Sequence, residues 1–339
     1  MKKYVSLALT LALSFSLVGC GTDSAAQKEN AASDTSAEVE VASDVAKPYN
    51  VGVIQLVQHP ALDAATQGFE DALKEKLGDS VTVTIENASG DNATCATIAN
   101  TFVSDNVDLI MANATPALQA AATATNSIPI VATSITDYAT ALDIEDWNGA
   151  TGVNVTGTSD LAPLDGQAEM LNTLFPDAKE VGLIYCSGEK NSLYQAKKIT
   201  EYLEGYGYNV TDYTFADSAD VATVVQTACG ASDVLYVPTD NVAANAAETI
   251  NNVALTAGVP IVAGEEGICK GCGIATLSIS YYDIGYNAGL MAYEILVNGQ
   301  DPATFDIQYA SDFTKEYNKA IADKLGVAIP EDYVEIEME

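Results

Sequence analysis

The sequence predicts an α/β protein built from two doubly wound parallel-sheet lobes. An apolar, β-branched run at residues 234–237 ends in a polar cap at residues 238–241, and apolar residues at helical spacing follow. This pattern indicates a buried strand that feeds a capped helix. The same strand-cap-helix pattern occurs at residues 108–116, and the strand sequence at residues 50–54 is similar to that at residues 180–184. The copies are offset by roughly 130 residues, about the size of one domain, so two similar lobes facing each other across a cleft are expected.

The N-terminus has the features of an export signal. Two lysines precede an apolar stretch at residues 5–18, which is too short to span a membrane, and a small-residue cleavage site ends in Cys20. The site resembles the lipobox of bacterial lipoproteins. This resemblance implies a signal peptide at residues 1–19 and a lipidated, palmitate-bearing Cys20 that anchors the chain to the cell membrane; an ordinary signal peptide with a chance cysteine is the alternative. Residues 20–48, which lack aromatic residues, are predicted to be a disordered tether.

The composition limits the classes of partner. The formal charge is −33, and all 14 basic residues are lysines. A surface this acidic repels nucleic acid and anionic lipid headgroups, so neither is an expected partner. Because arginine is absent, a bound carboxylate would depend on hydroxyl and backbone N–H donors, with Lys190 as the nearby cation. A zwitterion suits such a site better than a bare anion.

The predicted first lobe begins near Tyr49. Apolar β-branched runs alternate there with segments of helical periodicity, which is the pattern of a doubly wound parallel sheet. Strands are predicted at residues 49–56, 81–86, 107–112, 128–132 and 152–156, and helices at residues 61–77, 95–104 and 116–125.

The predicted second lobe continues the same alternation. Helices are predicted at residues 163–174, 193–206, 221–229 and 242–257, and strands at residues 181–186, 209–215, 234–237, 260–263 and 274–279. Most of these strands are short, apolar and bounded by turn residues, as buried strands of a parallel sheet are.

The remaining residues are predicted to complete both lobes through a hinge. A helix at residues 282–298, ended by Gly299, and a strand at residues 304–309 follow the second lobe. The predicted first lobe is therefore residues 49–157 plus 281–305, and the second is residues 158–280 plus 306–339. The chain would cross between the lobes three times, near Gly157, Ser280 and Phe305, as in proteins that close around a ligand.

The candidate ligand-binding residues are polar side chains at strand ends and helix caps, where an open α/β sheet binds its ligands. They are His59, Thr115, Thr133, Ser134, Ser159, Asp160, Asn191, Ser192, Asp240, Asn241 and Glu265. Ser, Thr and Asp at such places are also ordinary helix N-caps, and a cap or packing role is favoured for His59 over that of a base. A tyrosine such as Tyr281 could stack on a ligand.

Cys269 and Cys272 are the one close cysteine pair in the globular region. Their spacing fits a local disulfide, free thiols, half a zinc site or a redox motif, with pairing to Cys186 as a further alternative. Because no second pair occurs and the single histidine is distant in sequence, a disulfide or free thiols are favoured over a metal site.

No catalytic set emerges from the sequence. The chain has one histidine and no Gly-x-Ser-x-Gly motif, and its glycines form neither a Walker nor a dinucleotide fingerprint. Binding without a cofactor is therefore expected, in preference to enzymatic activity.

Several motifs in order resemble the bacterial ABC-transporter substrate-binding lipoproteins of the tryptophan/tyrosine-binding type. They are His59-Pro60-Ala61-Leu62-Asp63, Ala114-Thr115-Pro116-Ala117, Gly157-Thr158-Ser159-Asp160, Gly188-Glu189-Lys190-Asn191-Ser192, Val237-Pro238-Thr239-Asp240-Asn241 and Ser280-Tyr281-Tyr282-Asp283-Ile284-Gly285. The resemblance runs from about Tyr49 to the C-terminus. It implies a type I periplasmic-binding-protein fold, one small ligand between closing lobes, and delivery to an ABC permease and its ATPase.

The resemblance also implies an aromatic amino acid as ligand. On this hypothesis Thr133, Ser134, Asn191 and Ser192 hold the carboxylate, Asp240 and Glu265 hold the ammonium, and His59 and Thr115 border the side-chain pocket. Two departures from the family pattern lie near the cleft, at residues 185–187 and 268–273. Branched-chain amino acids or nucleosides as ligands, a ligand-sensing role beside a receptor, and an extracytoplasmic enzyme are the alternatives.

Overall fold

The computed structural model describes residues 48–338. The predicted signal peptide, the predicted lipidation residue Cys20 and the predicted tether up to residue 47 lie outside the described residues. Within residues 48–338, no helix combines the length and the apolar composition needed to cross a bilayer.

One sheet contains the first five strands and a short later one. The strands are β1 (Tyr49–Gln55), β2 (Val81–Asn87), β3 (Leu109–Asn113), β4 (Ile130–Ile135), β5 (Val155–Ser159) and β11 (Gln308–Tyr309). Their order is β11-β5-β4-β3-β1-β2, and every pairing is parallel.

The other sheet contains β6 (Glu180–Cys186), β7 (Asn209–Phe215), β8 (Val234–Val237), β9 (Ile261–Ala263) and β10 (Ala275–Ser278), followed by β12 (Thr314–Tyr317) and β13 (Val334–Glu335). Their order is β13-β12-β10-β9-β8-β6-β7. β12 runs antiparallel to β10, and β13 pairs with β12 in parallel and forms that edge of the sheet.

The two sheets repeat one topology, which confirms the predicted fold class. The order β5-β4-β3-β1-β2 in the first sheet matches β10-β9-β8-β6-β7 in the second. In each sheet the strand order reverses beside the first strand of the repeat, and such a reversal opens a crevice at the carboxyl ends of the strands. The loops after β1 and β6 therefore lie where a ligand is expected.

The first lobe carries the helices α1 (Pro60–Leu77), α2 (Asn92–Asp105), α3 (Thr115–Ala124), α4 (Tyr138–Leu142) and α11 (Tyr281–Asn298). The second carries α5 (Leu164–Leu174), α6 (Lys190–Gly205), α7 (Val221–Cys229), α8 (Asn241–Asn245), α9 (Ala247–Ala257), α10 (Glu266–Gly271) and α12 (Lys319–Leu325). The helix predicted at residues 242–257 is split at Ala246 into α8 and α9. The short helices α4 and α10 were not predicted, because five or six residues are too few to show a helical period.

The chain passes between the sheets after Ser159, Ser278 and Tyr309. The third crossover was predicted near Phe305, but Gln308 and Tyr309 pair with Thr158 and Ser159 of β5 and so remain in the first sheet.

Each sheet is covered on both faces, so its central strands are buried. All five residues of β3 and all four of β8 are buried, as expected for strands with helices on either side. α1 and α11 pack closely in the first lobe, and the absence of a side chain at Gly285 permits this approach. A Cβ at that position would lie 2.0 Å from the carbonyl oxygen of Ala65. This contact fixes the start of α1 beside the crossover that leads into α11.

Candidate ligand site between the two lobes

A small cavity lies between the lobes at the carboxyl ends of the strands. It is lined by His59, Ala61, Leu62, Ser134, Thr136, Asp160 and Tyr281 from the first lobe and its crossovers, and by Asn191, Thr239, Asp240, Asn241, Ala244 and Glu265 from the second. The space accessible to water in this cavity is about 10 Å³, which is room for about one water molecule.

Unpartnered polar atoms concentrate at this cavity. Seven buried side-chain nitrogen or oxygen atoms in residues 48–338 have no hydrogen-bond partner, and four of them belong to cavity residues: His59 Nδ1, Ser134 Oγ, Asp160 Oδ1 and Asn191 Oδ1. A buried polar group without a partner costs free energy, so such groups are rare and need an explanation. Their clustering in one cavity indicates that a polar ligand completes them.

Asp160 follows β5 and is buried at the cavity. The hydroxyl of Tyr281 donates to its Oδ2 at 3.0 Å, while Oδ1 has no partner. Burial raises the pKa of Asp160 to about 6, although the Tyr281 hydroxyl and, after it, the nearby Thr136 hydroxyl oppose this shift. The carboxylate therefore has one oxygen available and gains most from a cationic partner.

Asp240 was predicted to hold an ammonium group, but its oxygens already have donors in the protein. As N-cap of α8 it accepts Ala243 N–H at Oδ1 (2.8 Å), and its Oδ2 accepts Cys186 N–H (2.6 Å) and the Ser192 hydroxyl (2.7 Å). Burial, followed by the nearby Glu189 carboxylate, raises the pKa of Asp240. Its contacts are those of a structural cap that joins two strand ends.

Glu265 is the second predicted ammonium ligand, and it is also a cap. Its two oxygens accept the N–H groups of Gly267, at 2.6 Å, and Ile268 at the start of α10. Burial raises the pKa of Glu265 to about 7, while these two N–H groups lower it. The Glu265 carboxylate lines the cavity, but each of its oxygens already accepts a hydrogen bond from the backbone of α10.

The orientation of the Asn191 amide is fixed by acceptors on one side. Its Nδ2 donates to Glu189 Oε2 at 2.9 Å and to the Thr239 carbonyl at 3.1 Å. Because both partners can only accept, the nitrogen must face them, and Oδ1 therefore faces the cavity. Asn191 presents an acceptor to a ligand, which does not fit its predicted contact with a carboxylate.

His59 is oriented in the same way through Asn241. Asn241 Nδ2 donates to Glu189 Oε2 at 2.7 Å, so its Oδ1 is the atom that lies 3.3 Å from His59 Nε2. Burial lowers the pKa of His59, which favours the neutral ring at neutral pH. Nε2 must then carry the proton, and the unpartnered Nδ1 is an acceptor.

Donors to the cavity come from neutral groups. Ser134 lies at an irregularity of β4 with a left-handed φ of 57°, and its buried hydroxyl has no partner. The first backbone bond of α1 joins Asp63 N to His59 O, so the N–H groups of Ala61 and Leu62 have no acceptor in the preceding turn. Lys190 does not line the cavity, because its Nζ pairs with Asp143 at 2.7 Å.

Four predicted residues do not line the cavity. Thr133 Oγ1 accepts from Thr158, the Ser159 hydroxyl donates to the Thr136 carbonyl, and the Ser192 hydroxyl donates to Asp240. Thr115 is buried as the first residue of α3. These hydroxyls support the strand ends rather than face the cavity.

The candidate ligand-binding residues predicted from sequence did not include Thr136 or Glu189, and Tyr281 was named only as a possible stacking residue. Tyr281 and Glu189 stand within motifs that carried the family resemblance, so a signal for them existed. Thr136 had no such signal, because its place in the cavity depends on the irregular end of β4.

Side chains from the two lobes meet across the cleft. His59 contacts Asn241 at 3.3 Å, Gln195 Nε2 lies 3.4 Å from Thr136 Oγ1, and Lys190 pairs with Asp143. The lobes are therefore closed over the cavity.

The cysteines contribute no disulfide to this region. Cys95, Cys186, Cys229, Cys269 and Cys272 are free thiols. Cys269 in α10 and Cys272 at its C-cap, the candidate disulfide, lie in the apolar core of the second lobe, where burial raises the pKa of both thiols. Among residues 48–338, no cluster of His, Cys, Asp and Glu has the arrangement of a metal site.

Two repeated lobes closed over a shared polar cavity define a solute-binding protein. The model of the ABC transporter substrate binding protein family matches residues 50–337. The chain belongs to this family, and it is the substrate-binding component of an ABC transporter rather than an enzyme. Substrate-binding proteins of this kind act outside the cytoplasm.

Individual relatives support the assignment. A tyrosine-binding protein of Clostridioides difficile is 38% identical over 299 residues, which is 87% of this chain and 84% of the relative. The ABC domain of Streptococcus pneumoniae in complex with L-Trp is 32% identical with a TM-score of 0.80, covering 84% of this chain and 96% of that one.

A ligand-free, open structure provides a contrast. It is the structure of a substrate-binding protein with adhesive properties from Clostridium difficile. That protein is 34% identical to this chain, and the match covers 86% of this chain and 100% of that one. Its TM-score is 0.65, lower than that of the L-Trp complex at similar identity. That structure is described as open, whereas the lobes of this chain are closed over the cavity.

Proposed function

We propose that this protein captures an aromatic amino acid between its lobes for import by an ABC transporter. The observation that carries the proposal is the convergence of four unpartnered buried polar atoms on one cavity between the lobes. The tyrosine-binding relative and the L-Trp complex support an aromatic ligand. An amino-acid head group supplies both the donors and the acceptors that these atoms need.

The ammonium group of the ligand would bind at Asp160. Asp160 Oδ1, Asn191 Oδ1 and His59 Nδ1 are acceptors with no protein partner. An ammonium group has three N–H donors, so it matches three acceptors, and its charge would stabilise the ionised form of Asp160. This assignment replaces Asp240 and Glu265, whose oxygens are taken by backbone N–H and hydroxyl donors.

The ligand carboxylate would bind without a basic side chain. Ser134 supplies a hydroxyl, and the start of α1 supplies the N–H groups of Ala61 and Leu62 at the positive end of the helix dipole. This arrangement explains how a chain without arginine can hold an amino acid.

The ligand side chain needs more room than the closed cavity provides. An outer cleft with about 230 Å³ of water-accessible space adjoins the cavity at Asn241 and includes the apolar residues Leu56, Val57, Pro116 and Val242. An aromatic ring could extend into this cleft once the contact between His59 and Asn241 separates. The lobes would then close with the ring between them, so the side-chain pocket is the outer cleft rather than a pocket bordered by Thr115.

Calorimetric titration of the soluble protein, residues 21–339, against the amino acids, several nucleosides and sugars tests the proposal. Binding of aromatic amino acids with the head group intact is the expected result, and thermal unfolding with ligand at about 100 times Kd should show roughly 2.7 kcal/mol of added stability. Binding of nucleosides or sugars alone would contradict the proposed ligand while leaving the family unchanged.

We also infer that the mature chain begins at a lipidated Cys20 and delivers its ligand to a membrane permease. The lipobox-like sequence at residues 17–20 and the family assignment support this inference. Replacement of Cys20 by alanine should prevent incorporation of labelled palmitate and move the protein from the membrane fraction to the soluble fraction. Unchanged palmitate labelling and membrane association of that variant would contradict the inference.

A further inference from the structure

We propose that Glu189 is a positioning residue that makes the cavity selective for a ligand bearing an ammonium group. The proposal rests on the proposed function, since it concerns the head-group end of the same site. Glu189 does not line the cavity; it acts on the ligand through two amides and one imidazole.

Glu189 is a buried carboxylate that accepts hydrogen bonds from two elements. It lies at the N-cap of α6, and its oxygens accept the first N–H groups of α8, from Asn241 at 3.2 Å and Val242 at 3.1 Å. Its Oε2 also accepts the side-chain amides of Asn191 at 2.9 Å and Asn241 at 2.7 Å. One carboxylate therefore holds both amides that face the ligand region.

These bonds determine which end of each amide faces the ligand. A carboxylate can only accept, so both Nδ2 atoms must turn toward Glu189 and both Oδ1 atoms must turn away. Asn191 Oδ1 then faces the cavity, and Asn241 Oδ1 faces His59. The Asn241 amide, once released from Glu189, could rotate about its terminal bond and present Nδ2 instead, because its two ends are nearly equal in size, whereas the Thr239 carbonyl still holds Asn191 Nδ2.

The orientation of the Asn241 amide in turn determines the tautomer of His59. Asn241 Oδ1 can only accept, so His59 Nε2 must donate the proton and Nδ1 must keep its lone pair. With Asp160 Oδ1, the cavity then presents acceptors at three points. A site of this polarity binds an ammonium group and leaves its acceptors unpaired when the ligand lacks one.

Nuclear magnetic resonance of the imidazole nitrogens tests the first part without any ligand. The chain has one histidine, so its ¹⁵N signals need no assignment among several residues. In the wild type at neutral pH we expect a proton on Nε2 and none on Nδ1. The opposite tautomer in the wild type would overturn the proposal.

Variants locate the cause of that tautomer. Glu189→Ala should give a mixture of tautomers, and Glu189→Gln, which keeps one oxygen for the two amides, should retain a majority of the wild-type form. Asn241→Ala leaves Glu189 in place and removes the link to His59, so it should also give a mixture even if Glu189→Ala does not fold. A wild-type tautomer in folded Glu189→Ala or in Asn241→Ala would overturn the proposal.

Ligand selectivity tests the second part. L-phenylalanine and 3-phenylpropanoic acid differ by the amino group, so the ratio of their affinities measures selectivity for the ammonium. Glu189→Ala should reduce this ratio by about tenfold or more, since a charge-assisted interaction is lost. Lys190→Ala, a change at the next residue whose side chain pairs with Asp143, should leave the ratio unchanged.

The outcomes separate the two proposals. An unchanged ratio in folded Glu189→Ala would overturn the role of Glu189 in selectivity. If the wild type bound neither compound nor any other aromatic amino acid, the proposed function would fail, while the tautomer measurement would still decide whether Glu189 sets the polarity of the cavity.

Discussion

Two buried aspartates at the cleft differ in the number of hydrogen bonds that their carboxylate oxygens accept from the protein. Asp160 and Asp240 are 4% and 1% exposed, and both follow a strand end that faces the opposite lobe. Asp240 receives three donors from the protein, whereas Asp160 receives one, from Tyr281. A buried carboxylate can therefore be either a structural cap or a ligand-binding group, and the available lone pairs distinguish the two.

The backbone after each aspartate explains the difference. A helix begins directly after Asp240, so N–H groups of its first turn point back at the carboxylate. After Asp160 the chain crosses to the other lobe, and the next helix begins at Leu164 with Pro163 as its N-cap. Asp160 is therefore not the N-cap of a helix, and its Oδ1 has no hydrogen-bond partner in the protein.

The largest expected effect is on stability, from Asp240→Ala. This change leaves the N–H groups of Cys186 and Ala243 and the hydroxyl of Ser192 without their acceptor. We expect a loss of about 3 kcal/mol or more in the free energy of unfolding, measured in urea without ligand. A loss below about 1 kcal/mol would show that Asp240 is not a structural cap, and the distinction between the roles of Asp240 and Asp160 would then be wrong.

The next effect is on affinity, from Asp160→Asn. The amide keeps an acceptor for Tyr281 but loses the charge that pairs with the ligand ammonium, so binding of the amino acid should weaken by about 2–5 kcal/mol. The free energy of unfolding without ligand should stay equal or rise at pH 7, because the variant no longer buries a charge. Calorimetric titration and urea unfolding of the same sample measure both, and wild-type affinity would refute the ligand role of Asp160.

A pH series sharpens the comparison by isolating the charge on Asp160. Its folded pKa, about 6, lies above its ordinary value of 3.8. Stability from the protonated form is complete below pH 3.8 and is lost as the pH rises through 6. The stability advantage of Asp160→Asn over the wild type should therefore grow by about 2–3 kcal/mol between pH 4 and pH 7.5. A pH-independent difference would contradict the raised pKa.

Ligand affinity should show the opposite pH trend. The ammonium binds the ionised form of Asp160, so affinity should fall as the pH drops below about 6, by up to about tenfold per pH unit. Titrations at pH 5 and pH 7.5 measure this change. Asp160→Asn should lose most of the dependence; an equal dependence in that variant would assign it to another group.

The smallest expected effect comes from an exposed aspartate at the cleft. The side chain of Asp143 is 83% exposed and pairs with Lys190 across the lobes. A double-mutant cycle with Asp143→Ala and Lys190→Ala should give a coupling of about 0.2–1 kcal/mol in ligand binding, reduced by salt. A coupling as large as the effect of Asp160→Asn would show that surface charge, rather than the buried cavity, controls closure.

The sequence was sufficient for the fold because the fold depends on repeated local patterns. Short apolar strands, helical periods and the repeated strand-cap-helix unit predicted both sheets. The third crossover was misplaced, since pairing of Gln308 and Tyr309 with β5 is a tertiary contact with no local signal.

The site was predicted less completely because the use of a polar group depends on its neighbours. His59, Ser134, Asp160, Asn191, Asp240, Asn241 and Glu265 do line the cavity. We propose Asp160 for the ammonium, whereas the sequence-based hypothesis placed it at Asp240 and Glu265. Both residues begin helices, and only the folded arrangement shows that their oxygens are already taken. The role of Glu189 likewise depends on α6 and α8 starting side by side.

A crystal structure of the protein with bound L-tyrosine tests the central claim most directly. The distance to measure joins the ligand ammonium nitrogen to Asp160 Oδ1. We expect about 2.7–3.2 Å, with the same nitrogen within hydrogen-bond distance of Asn191 Oδ1 and with Asp240 still capping α8. An ammonium bound to Asp240 or Glu265, with Asp160 Oδ1 unpaired, would contradict the assignment.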